Sequence, residues 1–326
     1  MHLAILGATG AVGRTMMEVL AERAIPVERL TLLASERSAG TTLPWQGREI
    51  TLGVPSDEAF RGVDIALFSA GASRSTEWGP RAAARGTVVV DNSSAWRTDP
   101  EVPLVVPEVN APSMAARPRG IIANPNCSTI QLVVALKAIH DAAGLGRVVV
   151  TTLQSVSGAG ETGREAWRLE ARGERAPGSP FARTIVGNVI PQIGDFDAEG
   201  WTGEERKMIG ETRKILSLPD LPVTATCVRV PVDIGHCVQV MVETERELSG
   251  TDARHALASF PGIRLAESAR AFPTPLEIAG RDEVFVGRVR TDPFLPRVLH
   301  LWVVADNLRK GAATNAVQIV EQLLRG

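Results

Sequence analysis

The stretch that decides the fold is Leu3-Ala4-Ile5-Leu6-Gly7-Ala8-Thr9-Gly10-Ala11-Val12-Gly13. It begins with four apolar residues, places three glycines at intervals of three, and leads into residues 14–20, where apolar side chains recur at helical spacing. This pattern predicts a buried strand, a tight glycine turn and a helix.

The same alternation of strand and helix continues through the first third of the chain. Strands are predicted at 30–34, 63–68 and 88–91, with a helix from about Trp78 to Arg85. Strands that alternate with helices indicate an α/β fold with a mostly parallel, doubly wound sheet. Such sheets bind ligands at the carboxyl ends of their strands, where the glycine turn, residues 69–73 and residues 91–94 fall.

The pattern changes after Cys127. A helix over about 128–143 precedes long β-rich segments at 147–155, 224–232 and 237–245, with a charged helical segment at 200–216. A last strand at 298–305 leads to an amphipathic helix that ends near Leu324. We therefore expect a first domain over 1–126, a mixed α+β domain over 127–305, and a terminal helix within 306–326 that packs on the first domain.

Composition excludes several classes of function. Residues of the chain are 44% hydrophobic and 22% charged, with 35 basic and 37 acidic side chains, a formal net charge of −2. This balance offers no basic surface for nucleic acid or an anionic membrane, and no apolar run approaches the roughly 18 residues that span a bilayer. Three cysteines at 127, 227 and 237 match neither a disulfide framework nor the spacing of a metal site. A strand-like start without a basic leader predicts a cytoplasmic protein.

The glycine turn predicts a dinucleotide site. Glycines at 7, 10 and 13 allow a tight turn and a close approach to a pyrophosphate, and the helix start offers unpaired N–H groups to the anion. Their spacing is a variant of GxGxxG. After the second strand, Arg37 and Ser38 favour a 2′-phosphate and hence NADP, whereas Glu36 would suit the free ribose hydroxyl of NAD.

Cys127 is the candidate nucleophile. It follows Asn124-Pro125-Asn126 directly before a helix, whose N-terminal N–H groups stabilise a thiolate and lower the pKa of the thiol. Taken alone, the same pattern also fits a buried structural cysteine. Cys227 and Cys237 lie inside strand patterns and are expected in the core.

His236 is the candidate acid/base residue. It follows Val230-Pro231-Val232-Asp233-Ile234-Gly235 at the start of a strand, and imidazole is the usual proton-transfer partner of a thiol because its ordinary pKa is near 6.5. A lone histidine is more often structural.

Taken together, these segments resemble the aspartate-semialdehyde dehydrogenases, over the chain from Gly7 to the terminal helix. The matching segments are Gly7–Gly13, Arg37–Gly40, Phe68–Gly71, Asp91–Arg97, Asn124–Thr129, Gln154–Gly160 and Arg229–His236. Within the family, Ser94-Ala95-Trp96 and Val230-Pro231-Val232 are most similar to the branch typical of Gram-positive bacteria.

The resemblance implies roles for individual residues. Cys127 matches the nucleophile, His236 the acid/base residue, and Gln154 the residue that orients the substrate at the thiol. Arg229 matches the arginine that holds the substrate carboxylate, and Asn126 a further substrate contact. Glu204 matches the contact to the amino group, although Glu205 beside it leaves two registers; Lys207 and Arg97 match the phosphate contacts. The implied NADP contacts are Gly7, Thr9, Gly10, Ala11, Val12, Arg37, Ser38, Ser157, Gly158 and Asn307.

The resemblance also implies an activity. It is the NADPH-dependent reduction of 4-phospho-L-aspartate to L-aspartate 4-semialdehyde with release of phosphate, through a thioacyl enzyme on Cys127, on the route to lysine (through diaminopimelate), threonine and methionine. The fold would be Rossmann-type with a catalytic and dimerisation domain. The expected partners are the substrate and further copies of the chain, in a homodimer or homotetramer. Two alternatives stay open: a related acyl-phosphate reductase such as N-acetyl-glutamyl-phosphate reductase, and a non-catalytic NADP-binding protein of the same fold.

Overall fold

A computed structural model describes residues 1–325, which form two compact units. The first unit is Met1–Pro125 together with the chain from Ala312 onward, and the second is Asn126–Gly311. The later boundary thus lies after Gly311, beyond the expected one at 305, and falls within the π-helical segment Arg309–Ala313 that follows the last strand. Each unit is described by itself.

In chain order, the strands are β1 (His2–Leu6), β2 (Arg29–Leu33), β3 (Thr42–Trp45), β4 (Arg48–Thr51), β5 (Ile65–Phe68), β6 (Val88–Asp91), β7 (Ile121–Ala123), β8 (Arg147–Gln154), β9 (Val223–Arg229), β10 (His236–Glu243), β11 (Ile263–Leu265), β12 (Val284–Thr291) and β13 (Val298–Ala305). The α-helices are α1 (Ala11–Glu22), α2 (Ala72–Ala83), α3 (Pro107–Asn110), α4 (Cys127–Ala143), α5 (Gly160–Ala171), α6 (Gly203–Leu216), α7 (Gly250–Ser259), α8 (Pro275–Ile278) and α9 (Thr314–Arg325).

A five-stranded parallel sheet forms the centre of the first unit, with the order β2-β1-β5-β6-β7. Helix α9 belongs to this unit and contacts α1, and the Arg23 guanidinium makes two hydrogen bonds of 2.7 and 2.8 Å to the Glu321 carboxylate across that contact. The chain order reverses on the two sides of β1, so the carboxyl ends of the strands leave a crevice there. The predicted doubly wound sheet is confirmed.

A six-stranded mixed sheet forms the second unit, with the order β11-β12-β13-β10-β8-β9. One face of the sheet carries buried aliphatic side chains such as Val150, Val240 and Val303. Helix α4 contacts β10 and β13, and most of its side chains are buried. Strands β8 and β9 run parallel with Gln154 beside Arg229, while β10 runs antiparallel to β8. Their register brings the ends of β8 and β9 and the start of β10 to the same end of the sheet.

Several elements were not predicted. They include the hairpin β3–β4, the helix α5 and the strand β12. The predicted strand at 224–232 ends at Arg229, since Pro231 lacks the N–H that would extend the ladder.

Within residues 1–325 no helix combines the length and apolar character needed to cross a membrane.

Candidate active site

The glycine turn of the first unit has the geometry of a phosphate cradle. Gly7 has φ +91°, and a Cβ there would lie 2.4 Å from the carbonyl oxygen of Ser69. A Cβ on Gly13 would lie 2.2 Å from the carbonyl oxygen of Gly7. Only glycine fits at either position, so the turn keeps its backbone exposed at the start of α1, with Gly10 as the residue before that helix.

A cleft of about 380 Å³ opens beside this turn. Its lining includes Gly7 and Thr9 from the turn, Ser35 and Glu36 after β2, and Arg74 from α2. Size and position suit the adenosine half of a dinucleotide, with the pyrophosphate at the helix start. Arg37 and Ser38 follow in the next turn, where the Arg37 side chain is exposed and Ser38 is half-buried.

Arg97 is almost fully buried in the first unit. Its Nε donates to the carbonyl oxygen of Asn124 at 3.0 Å and its Nη2 to that of Asn92 at 2.9 Å. Asn92 directly follows β6 and Asn124 directly follows β7. The guanidinium is therefore held at the carboxyl end of the parallel sheet.

In the second unit, Cys127 is the first residue of α4. The Asn126 side chain caps this helix, because its Oδ1 accepts from the N–H groups of Ser128 at 2.9 Å and Thr129 at 3.2 Å. Gly311 lies against the cysteine, since a Cβ at Gly311 would lie 3.1 Å from the Cβ of Cys127. The predicted place of Cys127 at a helix start is confirmed.

All three cysteines of the chain are thiols. Cys227 and Cys237 are buried in β9 and β10, and burial raises the pKa of each thiol to about 12. Cys127, by contrast, is half-buried. Of the three thiols, Cys127 is therefore the least buried.

Glu204 and Glu205 have separate functions in the first turn of α6. Glu205 forms a capping box with Thr202, accepting from its N–H at 2.7 Å, and also accepts from the N–H of Cys227 at 3.0 Å. Glu204 accepts from Asn126 Nδ2 at 2.8 Å and from Gln154 Nε2 at 3.2 Å. The ambiguity of register is thus resolved: Glu204 faces the site and Glu205 stabilises the helix.

Lys207 lies one turn after Glu204, with its Nζ 3.3 Å from the Glu204 carboxylate. Its side chain is 42% exposed, against 8% for Glu204. An ammonium that is open to solvent can leave this pair to contact an incoming anion.

Arg229 ends β9 as a buried cation. Its Nη1 donates to the carbonyl oxygen of Ser155 at 2.6 Å, and its guanidinium lies over the ring of Phe181 at 5.9 Å. Burial lowers the pKa of this guanidinium, while the nearby charges of Glu204 and Cys127 oppose the shift. A fixed, desolvated guanidinium is suited to hold a carboxylate.

His236 begins β10 and is fully buried. Burial lowers the pKa of its imidazole to about 3, the Arg229 cation adds to this effect, and the Gly235 backbone opposes it. Gln131, one turn after Cys127 in α4, donates to the carbonyl oxygen of His236 at 3.1 Å. The start of β10 is thereby attached to the helix that begins with Cys127.

Gly158 lies directly beside these two groups. A Cβ at this position would lie 2.8 Å from Arg229 Nη1 and 3.0 Å from His236 Nε2. Gly158 is itself exposed, and as a glycine it keeps a side chain out of the space beside both buried groups.

The structure thus brings Cys127, Asn126, Gln154, Glu204, Lys207, Arg229 and His236 to one edge of the second unit. Sequence reasoning missed three residues that support them: Ser155 and Gln131, which hold His236, and Glu211, whose buried carboxylate accepts from the N–H of Asn126 at 2.6 Å. None has a motif of its own. Within the described residues 1–325 no group of His, Cys, Asp or Glu is arranged to hold a metal ion.

Both halves of the chain match known family models. The model for "Semialdehyde dehydrogenase, NAD binding domain" matches residues 2–117, and that for "Semialdehyde dehydrogenase, dimerisation domain" matches residues 136–310. The chain has a glycine cradle and a cysteine at the first position of a capped helix, and it is an oxidoreductase that belongs to the semialdehyde dehydrogenase family.

Individual relatives identify the chain more narrowly than the family models do. The aspartate-semialdehyde dehydrogenase of Aquifex aeolicus is 51% identical over 333 residues, 99% of this chain and 98% of that protein. That of Bacillus subtilis is 47% identical, over 99% of this chain and 97% of its own. The crystal structure of aspartate semialdehyde dehydrogenase II from Vibrio cholerae matches with a TM-score of 0.96 at 50% identity, over 99% of this chain and 98% of that one. The same enzyme has also been solved in complex with ASA.

Proposed function

We propose that this protein is an NADP-dependent aspartate-semialdehyde dehydrogenase that reduces 4-phospho-L-aspartate and releases phosphate. The observation that carries the proposal is the arrangement around Cys127. Its thiol lies at the N-terminus of a capped helix, and Gln154, Glu204 and Arg229 are held nearby. The names of its relatives support the substrate, because identity near 50% extends over almost the whole chain.

Each end of the substrate has a complementary group in the second unit. The Arg229 guanidinium pairs with the α-carboxylate in a bidentate manner, and the Glu204 carboxylate accepts from the α-ammonium. Glu204 also separates this substrate from an N-acetylated one, since an amide carries no positive charge to pair with the buried carboxylate. Gln154 and Asn126 fix that carboxylate in place through their amide N–H groups.

Chemistry begins with the Cys127 thiolate. Its sulfur attacks the acyl carbon, an S–C bond forms, and the C–O bond to phosphate breaks with its electron pair leaving on phosphate. Lys207 neutralises the departing charge, and we assign the same role to Arg97 from its position in the sequence. When bound, the reduced nicotinamide supplies a hydride to the thioester carbon. His236 acts on the carbonyl-derived oxygen, and loss of the Cys127 thiolate then releases the aldehyde.

NADP is the proposed cofactor, bound by the glycine cradle with its 2′-phosphate near Arg37 and Ser38. The family model supports a nicotinamide dinucleotide, and a related structure from Candida albicans carries NADP. Glu36 in the lining of the cleft is the feature that would favour NAD instead. Values of kcat/KM for NADP and NAD decide between the two cofactors. Arg37→Ala should lower kcat/KM for NADP and leave that for NAD unchanged.

We propose a homodimer that forms through the open face of the six-stranded sheet. Val149, Met241 and Trp302 lie on this face and are only partly buried within one chain. A dimerisation domain at 136–310 supports this assembly. Sedimentation velocity should give the mass of two chains, and Met241→Glu should give a single chain; a mass of four chains would require a further interface.

A cytoplasmic location fits this function, because the nucleophile must stay a reduced thiol.

The decisive experiment follows NADPH formation from L-aspartate 4-semialdehyde with and without phosphate. We expect phosphate-dependent activity that Cys127→Ser and Cys127→Ala abolish. Comparable rates in these variants would exclude the thioacyl mechanism, and activity with N-acetyl-glutamate 5-semialdehyde instead would assign the related reductase.

A further inference from the structure

The imidazole of His236 is hydrogen-bonded at one nitrogen. Its Nδ1 lies 3.1 Å from the backbone nitrogen of Ser155 and 3.1 Å from Ser155 Oγ. Its Nε2 is buried and has no hydrogen-bond partner among residues 1–325. A buried polar atom without a partner points to a group that arrives with the ligand.

The contact with Ser155 fixes which nitrogen carries the proton. A backbone N–H can only donate, so Nδ1 must be the acceptor in this hydrogen bond. The single proton of the neutral ring is then on Nε2. The opposite tautomer would aim two N–H groups at each other in a buried site.

Asn307 holds Ser155 in this position. Asn307 Oδ1 accepts from the N–H of Gly235 at 2.8 Å and from Ser155 Oγ at 3.0 Å. Asn307 Nδ2 donates to Ser157 Oγ at 3.0 Å, and the two serine hydroxyls are 3.1 Å apart. When Ser157 Oγ donates to Ser155 Oγ, the hydrogen bonds form a closed ring. The hydroxyl of Ser155 then donates to Asn307 Oδ1, and Nδ1 of His236 accepts from the Ser155 N–H.

The ring of hydrogen bonds also changes the expected role of Asn307. Asn307 is 3% exposed and its carboxamide is used within the second unit, whereas the family resemblance implies a cofactor contact. Gly235, which precedes His236, and Ser155, which contacts the imidazole, are both bound to this one side chain. Asn307 therefore determines where the imidazole lies.

The reaction itself does not require a proton at the reacting oxygen. Attack by the Cys127 thiolate makes an oxyanion that collapses when phosphate leaves, and hydride addition makes a second oxyanion that collapses when the thiolate leaves. The net proton of the reduction ends on the released phosphate. Each oxyanion needs a hydrogen-bond donor while it exists.

We propose that His236 acts as a neutral hydrogen-bond donor, through Nε2–H, to the reacting oxygen, with Ser155 and Asn307 as its positioning residues. This inference rests on the proposed function for the identity of the oxygen, but the tautomer belongs to the free protein. Charge supports it: Arg229, the cation beside the ring, disfavours an imidazolium, and burial lowers the pKa of His236 to about 3.

The tautomer is measured by long-range ¹H–¹⁵N correlation on the full chain labelled with ¹⁵N-histidine. His236→Gln identifies the signals among those of the five histidines. We expect the His236 signals to show a protonated Nε2 and an unprotonated Nδ1, unchanged from about pH 5.5 to 8.5. A protonated Nδ1, or a ring that titrates in this range, overturns the proposal.

Ser155 offers a matched pair of variants. Ser155→Ala keeps the N–H and loses the hydroxyl, whereas Ser155→Pro removes the N–H at a φ of −64°, which proline adopts. The Nε2–H tautomer should persist in the first and be lost in the second. If Ser155→Pro does not fold, the signals of Ser155→Ala still decide, since a changed tautomer there would mean that the hydroxyl and not the N–H fixes the ring.

Kinetics separate positioning from cofactor binding. Asn307→Ala should lower kcat about tenfold or more while the Kd for NADPH changes less than about twofold. A raised Kd with unchanged kcat would instead make Asn307 a cofactor contact. Asn188→Ala, in an exposed loop, is the control for loss of a carboxamide.

The histidine itself distinguishes a donor from an acid/base group. Glutamine places an N–H near the position of Nε2, so His236→Gln should keep at least tenfold more activity than His236→Ala. Equal loss in both contradicts the donor role. An inactive wild-type protein would refute the proposed function without changing the tautomer that the NMR experiment reports.

Discussion

Gly158 lies so close to His236 that a single added carbon would be 3.0 Å from Nε2 of the imidazole. The same carbon would be 2.8 Å from Nη1 of Arg229, which is fixed by its hydrogen bond to Ser155. A glycine here therefore keeps a side chain out of the space beside two buried functional groups.

The first prediction concerns this glycine. Gly158→Ala should lower kcat/KM about 100-fold, because a displacement of about 1 Å at a reacting group can cost that much. The thermal midpoint should stay within a few degrees of wild type. Gly178→Ala is the matched control, since a Cβ at Gly178 would meet no atom within 4 Å. Equal activity of Gly158→Ala and Gly178→Ala would show that the space is not used.

A second prediction separates the two neighbouring glutamates. Glu205→Ala should lower the free energy of unfolding by about 1–3 kcal/mol, because the buried N–H of Cys227 and the capping box both lose their acceptor. Glu204→Gln should instead raise KM for aspartate semialdehyde tenfold or more with little change in stability. Chemical denaturation and steady-state kinetics on the same two variants test this division. An unchanged KM in Glu204→Gln would contradict it.

Stability should also depend on pH through His236. Its pKa is lowered to about 3 in the folded protein, against an ordinary value of about 6.5, so the unfolded chain binds more protons between these values. Its contribution is fully present above about pH 6.5 and is lost as pH falls toward 3. Between pH 7 and pH 5 the loss should be about 2 kcal/mol. Urea unfolding of wild type and His236→Gln measures it, and parallel curves for the two proteins would rule it out.

Thiol reactivity gives a fourth test. Iodoacetamide at pH 8 should modify Cys127 in the folded protein and leave Cys227 and Cys237 unmodified, because burial raises the pKa of both to about 12. Peptide mass spectrometry locates the label. Prior addition of the semialdehyde with NADP should protect Cys127. Labelling of Cys227 at a similar rate would mean that β9 opens on this timescale.

Local patterns in the sequence predicted what is encoded locally. The glycine turn and the cysteine at the start of α4 each need only about ten consecutive residues, and both lie where the pattern indicated. The choice between Glu204 and Glu205 could not be predicted, because both fit a first helical turn and only the position of Asn126, 78 residues earlier, decides it. The contact of Ser155 with Asn307 spans 152 residues and involves common polar side chains, so no spacing rule identifies it.

Asn126 has one side chain and two tasks: its oxygen caps the helix of Cys127, and its nitrogen binds Glu204. The cap of α4 and the contact with Glu204 therefore depend on the same residue. Serine would preserve the cap and lose the bond to Glu204, and aspartate would preserve the cap and repel Glu204. Adaptation to a new temperature or a new substrate must therefore proceed through other positions, and this asparagine should be among the last to change.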